Sequence, residues 1–435
     1  MTPGGPWLGA IEGYYGRPHS HAERLALVRW LGVHGYRRFV HAPKDDPFHR
    51  ARWREPYPAD EEARWSGLAR TGASSGVDVW AAVSPGLDWA PGDEPALAAK
   101  VRRFVELGAA GVLVAWDDVP GGGAELGQVH GAAVGAAVAA AGDGVDWMVC
   151  PTDYAVEAPT PYLEALAAEL PTHVPLVWTG PRIVSPTIDA DVARRLVDGL
   201  GHPLVLWENF PVSDGGMRGV LHLGPAPRRD PGLVDVLDGV IANLMEHPLA
   251  NRVALEVVGR WWTDPHADRD RVWAEVVGAV PGLVPLARAC RSWVDDPGPD
   301  AELVAWADAA PGDDRLRRFL AAGCRDGLDR ALAAELEPWL VRWEAEAAAM
   351  LAALDVLEHP APTLHELGAM AAAWNQARRT GRQLFGIRHA FYPVAPMWGP
   401  EAQPADAVSV VSGENLTDRL CRRALAGVPT RSREP

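Results

Sequence analysis

The stretch Gly111-Val112-Leu113-Val114-Ala115-Trp116-Asp117-Asp118 decides the reading of this chain: a wholly apolar run that ends in two carboxylates. A short apolar run between helical segments fits a strand buried on both faces, as in a parallel sheet covered by helices. Two acids directly behind it then sit at the C-terminal end of that strand, where parallel α/β architectures keep their chemistry.

Outward from this run the pattern repeats. Apolar or β-branched runs at Trp7 to Glu12, Arg37 to His41, Val77 to Val83, Gly111 to Trp116, Val145 to Cys150, Val174 to Trp178, Pro203 to Trp207 and Gly239 to Asn243 alternate with segments of helical periodicity. Eight such units in roughly 250 residues predict an α/β fold of the (β/α)8 TIM barrel type, the count favouring it over an open doubly wound sheet. Ser20-His21-Ala22-Glu23 spells a capping box ahead of Leu25, Val28 and Leu31, and Pro161 and Pro186 fit the first turns of helices. Beyond about residue 265 strand signals stop and Ala, Leu, Glu and Arg dominate, all strong helix formers. Leu328, Leu332, Leu336 and Leu340 recur at helical spacing beside Trp339 and Trp343, and Thr363-Leu364-His365-Glu366 is a second capping box. The expected organisation is a barrel over 1–265, a C-terminal α-helical bundle domain over 266–426 and a disordered tail over 427–435.

The formal charge of −16 over 435 residues argues against nucleic acid or an anionic membrane as a partner. Met1 to Gly13 has no secretory pattern and no apolar run is long enough to cross a bilayer, so a cytoplasmic location is expected. Cys150, Cys290, Cys324 and Cys421 are widely spaced, which suggests neither a disulfide framework nor a zinc site. Asn415-Leu416-Thr417 matches a glycosylation acceptor, by chance on this reading. The chain begins almost at its first strand, so no domain ahead of the barrel and no added carbohydrate-binding module are expected.

The strand ends are polar. Glu12 to Arg17 follow the first run, Ala42 to Asp46 the second, Asp117-Asp118 the fourth, Pro151 to Tyr154 the fifth, and Glu208-Asn209 with Asp214 the seventh, while the eighth ends at Asn243. Converging on one rim, these carboxylates, amides and aromatics make an inventory suited to a sugar, with Trp207 as a flat apolar wall. Cleaving a glycosidic bond needs one protonated and one ionised carboxyl, and Asp117 beside Asp118 supplies both, since adjacency raises the pKa of one of them. An isolated Asp-Asp is more often a helix cap or a solvated turn. Asp45-Asp46, with His49, Arg50 and Arg54 close by, is expected to pair with arginines, and Lys44 fits a rim or a surface salt bridge equally well.

The runs Glu12-Gly13-Tyr14-Tyr15-Gly16-Arg17-Pro18, Ala42-Pro43-Lys44-Asp45-Asp46-Pro47-Phe48-His49-Arg50, Ser84-Pro85-Gly86-Leu87-Asp88, Trp116-Asp117-Asp118, Cys150-Pro151-Thr152-Asp153-Tyr154 and Trp178-Thr179-Gly180-Pro181 together resemble glycoside hydrolase family 84, the protein O-GlcNAcases and their bacterial relatives. The resemblance covers about residues 7 to 260, and six motifs in order are a specific signal. It implies a retaining β-N-acetylglucosaminidase whose substrate, a β-N-acetylglucosaminide on glycan or protein, attacks its own anomeric carbon through the 2-acetamido oxygen and forms an oxazoline. By the same resemblance Asp117 binds the acetamido N–H and Asp118 is the acid and base. Gly13, Lys44, Asp214 and Asn243 bind sugar hydroxyls, Asn209 supports Asp117, and Tyr154 and Trp207 wall the acetamido pocket. Without the resemblance, Gly13 fits a turn, Tyr154 and Trp207 a core, and Asn243 a helix cap.

The chain departs from the family's pattern at Asp153, where Glu is expected, at Glu208, where Asp is expected, and at His41, which replaces an aromatic. Pro120 to Gly123 forms a loop directly after the acid pair that bears on which aglycone fits. No metal or cofactor is expected. His19-Ser20-His21 falls at a helix start rather than a strand end, and no H-E-x-x-H or phosphate loop is present. Two rivals stand beside the hydrolase: an inactive N-acetylglucosamine-binding protein on the same barrel, and a barrel enzyme of another class, such as a metal-dependent hydrolase or phosphate-handling isomerase. The helical domain offers a surface for a homodimer.

Overall fold

A computed structural model describes residues 6–141, 144–310, 312–379, 381–388, 390–393, 408–411 and 413–428. Eight parallel strands close into a barrel: β1 (Trp7–Glu12), β2 (Arg38–His41), β3 (Asp78–Val83), β4 (Gly111–Ala115), β5 (Asp146–Cys150), β6 (Leu176–Trp178), β7 (Leu204–Glu208) and β8 (Gly239–Asn243). Each strand pairs with the next in sequence and β8 returns to β1. All eight lie where the sequence puts them, because a strand covered by helices on one side and filled on the other must be apolar on both faces.

The N-terminal end of the barrel is plugged by a stack that explains two glycines. The guanidinium of Arg38 lies 3.9 Å from the Trp7 ring and 4.8 Å from the Trp80 ring. Gly239 is the register partner of Trp7, and Gly111 that of Trp80. A Cβ on Gly239 would meet Trp7 at 2.0 Å, and one on Gly111 would meet Trp80 at 2.5 Å. Both strands give up a side chain so that an indole can lie across them.

Helix starts follow the sequence in most cases. Ser20 and Glu23 exchange both bonds of the capping box ahead of helix His21–Val33, which buries Val28 and Leu31 as expected and adds Leu27, while Leu25 is only half-buried. Thr160 caps helix Pro161–Glu169, with Pro161 in its first turn. Pro186 is different: it precedes a two-residue strand, Thr187–Ile188, paired with Arg228–Arg229, and the helix begins only at Ala190.

The described residues fall into two compact units. One comprises those within Met1–Gly215, Ala226–Ala267 and Tyr392–Ser409, the other those within Gly216–Pro225, Asp268–Phe391 and Val410–Pro435. The second unit is mainly helical. Its longest helix, Arg330–Glu358, buries Leu332, Leu336, Trp339, Leu340 and Trp343 as the spacing predicts, while Leu328 precedes the helix and is only half-buried. Glu346, fully buried, pairs with Arg342 and Arg388, and Arg388 continues to Asp418 at 2.9 Å. Asn415 is buried and caps helix Leu416–Ala426, bonded to Asp418 N, Leu384 O and Arg388, a place no glycan can occupy. Short strands at Ala390–Pro393 and Val408–Val411 pair in a region where only helix is expected. Of the expected disordered tail, residues 429–435 lie outside the described residues. All four cysteines are free and buried. Among the described residues no helix is long and apolar enough to cross a membrane.

The stack makes Gly239→Ala an overpacking change, expected to lower stability by about 1–3 kcal/mol. Gly278→Ala, at the last residue of helix Arg269–Gly278 where a Cβ meets nothing within 4 Å, is the control, expected to leave stability unchanged or raise it by up to about 1 kcal/mol. Urea unfolding reads both, and equal midpoints for the two variants would contradict the stack.

Candidate active site

Side-chain alternation along the barrel strands builds the site. The interior is filled by Ile11, Val40, Ala42, Trp80, Ala82, Leu113, Ala115, Met148, Cys150, Tyr154, Val177, Val205, Trp207 and Ile241. Successive residues of a strand face opposite ways, so residues two apart share a face. Stepping by two from Ile11, Ala42, Ala115, Trp207 and Ile241 lands on Gly13, Lys44, Asp117, Asn209 and Asn243, all at the C-terminal mouth. The opposite parity carries Glu12 and Glu208 outward. Glu12 accepts from Arg24 at 2.7 and 2.9 Å, and Glu208 accepts from Arg229 twice at 2.7 Å.

At the centre of the mouth the ammonium of Lys44 is hydrogen-bonded to Asp117 Oδ2, with the two side chains 3% and 7% exposed. Burial alone would lift the Asp117 carboxyl, but the facing charges of Lys44 and then Arg50 overcome it and hold it below the ordinary carboxylate range. The shift expected from adjacent acids, a rise in one of them, is therefore not what governs Asp117. Its second oxygen, Oδ1, is buried and meets no donor among the described residues.

Asp118 has the wrong parity to share that mouth, and its backbone compensates. Its φ of +54° is left-handed, a conformation costing about 1–3 kcal/mol for a side-chain-bearing residue, though Asp tolerates it better than most. The turn delivers its carboxylate to two hydroxyls: Tyr15 donates to Oδ2 at 2.6 Å and Tyr154 to Oδ1 at 2.7 Å. Burial pushes both phenols far up, so they remain donors. Arg50 donates to the Tyr15 oxygen at 2.5 Å, and its other terminal nitrogen lies 3.5 Å from Asp117 O and 3.4 Å from Asp118 O.

The remaining expected residues ring this centre. Asn243 accepts from Gly13 N at 3.2 Å and donates to Asn209 at 3.0 Å, and Asp214 accepts from Tyr15 N at 2.8 Å. Gly13 has to be glycine because a Cβ there would meet the Trp207 ring at 2.5 Å, a close approach rather than a turn requirement. The support of Asp117 expected from Asn209 is not found: the Asn209 amide donates to Ile183 O at 2.6 Å, and Lys44 takes the supporting place. Nor do Asp45 and Asp46 pair with the nearby arginines. Asp46 accepts from the Tyr57 hydroxyl and from Phe48 N, while Arg54 goes to Asp88 and Asp93 and Arg50 to the site. His19 Nε2 lies 3.0 Å from Met245 O, and among the described residues no three His, Cys, Asp or Glu side chains converge as a metal site. Tyr15 and Arg50 are the two residues that sequence reasoning missed. Both stand inside motifs that carry the family resemblance, and in the sequence Arg50 is one of the arginines expected to pair with Asp45 and Asp46.

The family model for beta-N-acetylglucosaminidase matches residues 8–291, the barrel together with the start of the helical region. The chain belongs to that family of glycoside hydrolases. Over 271 residues it is 27% identical to the Protein O-GlcNAcase of Rattus norvegicus and to that of Mus musculus, a match covering 58% of this chain but 30% of each relative. The matched region thus spans less than a third of the length of these curated relatives. Among solved structures, a mutant of the Thermobaculum terrenum O-GlcNAc hydrolase is similar with a TM-score of 0.77 at 22% identity, covering 96% of this chain and 94% of that one. CpGH84B is similar with a TM-score of 0.75 at 20% identity, covering 97% and 77%. These structural likenesses show the fold that the family shares.

In this family member the low titration of Asp117 depends on Lys44. Lys44→Met removes the cation that lowers it most, so the Asp117 carboxyl is expected to titrate at higher pH. Carboxyl-carbon NMR of the two proteins reads this directly, and an unmoved or lowered titration would contradict the assignment.

Proposed function

We propose that the protein is a retaining β-N-acetylglucosaminidase that hydrolyses terminal β-linked N-acetylglucosamine by substrate-assisted catalysis. The observation that carries the reading is the free Oδ1 of a buried, ionised Asp117 set beside a carboxyl on the adjacent residue. A buried anion with an unused acceptor suits an N–H donor that gains positive charge during reaction, as an acetamido nitrogen does when its carbonyl oxygen attacks.

In the proposed sequence the acetamido oxygen bonds to the anomeric carbon while the glycosidic C–O bond breaks. Asp118 gives its proton to the departing oxygen, and Asp117 holds the acetamido N–H as the oxazolinium forms. Water then adds to the anomeric carbon, Asp118 takes its proton, and the ring reopens with the β configuration kept. No protein nucleophile is required. Tyr15 and Tyr154 orient the Asp118 carboxyl, Lys44 keeps Asp117 charged, and Trp207 and Tyr154 wall the pocket. Asp214 and Asn243 serve sugar hydroxyls beside Gly13, whose lack of a side chain lets Trp207 close in. The curated relatives are named for O-GlcNAc on protein, which makes a glycosylated Ser or Thr the first aglycone to try. Four free thiols suit a cytoplasmic setting.

The test is hydrolysis of an aryl β-N-acetylglucosaminide beside the matching aryl β-glucoside. Turnover of the first alone is expected, because only it carries the acetamido group. Cleavage of neither, with N-acetylglucosamine still bound, would replace the hydrolase by a sugar-binding protein. Asp118→Ala should lose about 100-fold or more on poor leaving groups and far less on good ones. Asp117→Ala should damage all substrates, and equal losses across leaving groups for Asp118→Ala would remove it as the acid.

A further inference from the structure

Arg50 lies on the segment that follows β2, and that segment is pinned to its neighbours. The His49 ring nitrogen Nδ1 lies 3.0 Å from Ala82 O, Ser84 N donates to His49 O at 2.9 Å, and Trp53 Nε1 donates to Asp88 at 3.0 Å. Burial, with Lys44 beside it, brings the His49 ring down to about 3, so it stays neutral and adds no charge of its own. From this fixed base the guanidinium of Arg50, a residue only 7% exposed, meets three oxygens at once: the Tyr15 hydroxyl and the carbonyls of Asp117 and Asp118.

Those three oxygens belong to one device. The left-handed Asp118 turns its carboxylate toward Tyr15, and Tyr15 donates to that carboxylate while accepting from Arg50. A left-handed residue persists only where its surroundings over-determine it. We infer that Arg50 is the positioning residue of the acid pair: its planar fork ties the two carbonyls of the strained turn to the Tyr15 hydroxyl and thereby fixes the direction of the Asp118 carboxyl. The inference rests on the glycosidase reading and adds to it the group that keeps the general acid aimed. A lysine carries the charge but not the fork, and cannot span three acceptors in fixed geometry.

The charged and titratable groups facing the pair are Lys44 and Arg50 from the β2 side, Tyr15 from β1, and Cys150 and Tyr154 from β5. Arg50 is one of the two cations that hold Asp117 low, so its removal moves the acid limb of kcat/KM upward. Loss of aim acts instead on proton delivery.

The experiment compares the wild type with Arg50→Lys and Arg50→Met on aryl β-N-acetylglucosaminides of graded leaving-group acidity. In Arg50→Met, kcat is expected to fall about tenfold or more on poor leaving groups, with KM changed little and good leaving groups spared. The acid limb should move upward in Arg50→Met and return toward the wild-type position in Arg50→Lys, which should keep the leaving-group defect. A uniform loss with unchanged pH profile, or full rescue by lysine, would overturn the inference. A crystal structure of Arg50→Met gives a readout independent of turnover: Asp118 should leave the left-handed region or lose Tyr15. Asp118 unmoved, with the Tyr15 bond intact, would overturn the role of Arg50 even in a protein with no hydrolytic activity. Inactivity of the wild type would sink the glycosidase reading alone, and the crystal structure would still decide on Arg50.

Discussion

The buried contact between Lys44 and Asp117 is the constraint around which the mouth of the barrel is arranged. Taking two ions out of water costs several kcal/mol each, and their attraction returns that cost only with close geometry and further partners. Such a pair is therefore poor evidence of stability and good evidence of use. Here it keeps a carboxylate charged at a depth where burial alone would neutralise it. Removing either partner strands the other, so the residues around the pair cannot vary freely. The ammonium also lies 5.6 Å from the Trp207 ring and 5.8 Å from the Tyr15 ring, which lets aromatic faces share the charge without a competing anion.

The geometry of that contact follows from strand alternation, and this is why so much was legible in the sequence. Ala42 to Lys44 and Ala115 to Asp117 are each a step of two from the barrel interior, on strands that are separated in the barrel by β3. A polar residue in register with an apolar interior has nowhere to point except the mouth. The same step places Gly13, Asn209 and Asn243. Strand number and order were readable for a related reason: eight apolar runs separated by helical segments have few ways to bury both faces.

What was not legible lies where periodicity stops. Arg50 sits on a non-repetitive segment whose course is set by bonds to β3, so the sequence points to its chain neighbours Asp45 and Asp46 as partners, which it does not meet. Tyr57, eleven residues beyond Asp46, claims that acid instead. Asn209 has the right parity, but its amide nitrogen donates to Ile183 O and its oxygen accepts from Asn243, two partners that the chain's periodicity does not announce. Pro186 looked like a helix start because proline fits one, yet its fixed φ serves equally ahead of a strand. The left-handed φ of Asp118 has no sequence signature at all, since Asp is common in right-handed turns too.

The two exchanged carboxylates show how far a one-methylene change reaches. Glu208 has outward parity and spends both oxygens on Arg229, the two side chains each 2% exposed, and Arg229 in turn belongs to the short strand paired with Thr187–Ile188. Its extra methylene is absorbed in reaching that arginine, on the far side of the strand from the acid pair. Asp153, with one methylene fewer, accepts from Thr160 Oγ1 at 2.6 Å, and Thr160 caps the helix that follows. Both acids thus anchor segments that carry the rim. Their length sets where the loops after β5 and β7 are tethered, and with them the surroundings of Tyr154 and Asn209, rather than the charge state of Asp117 or the aim of Asp118.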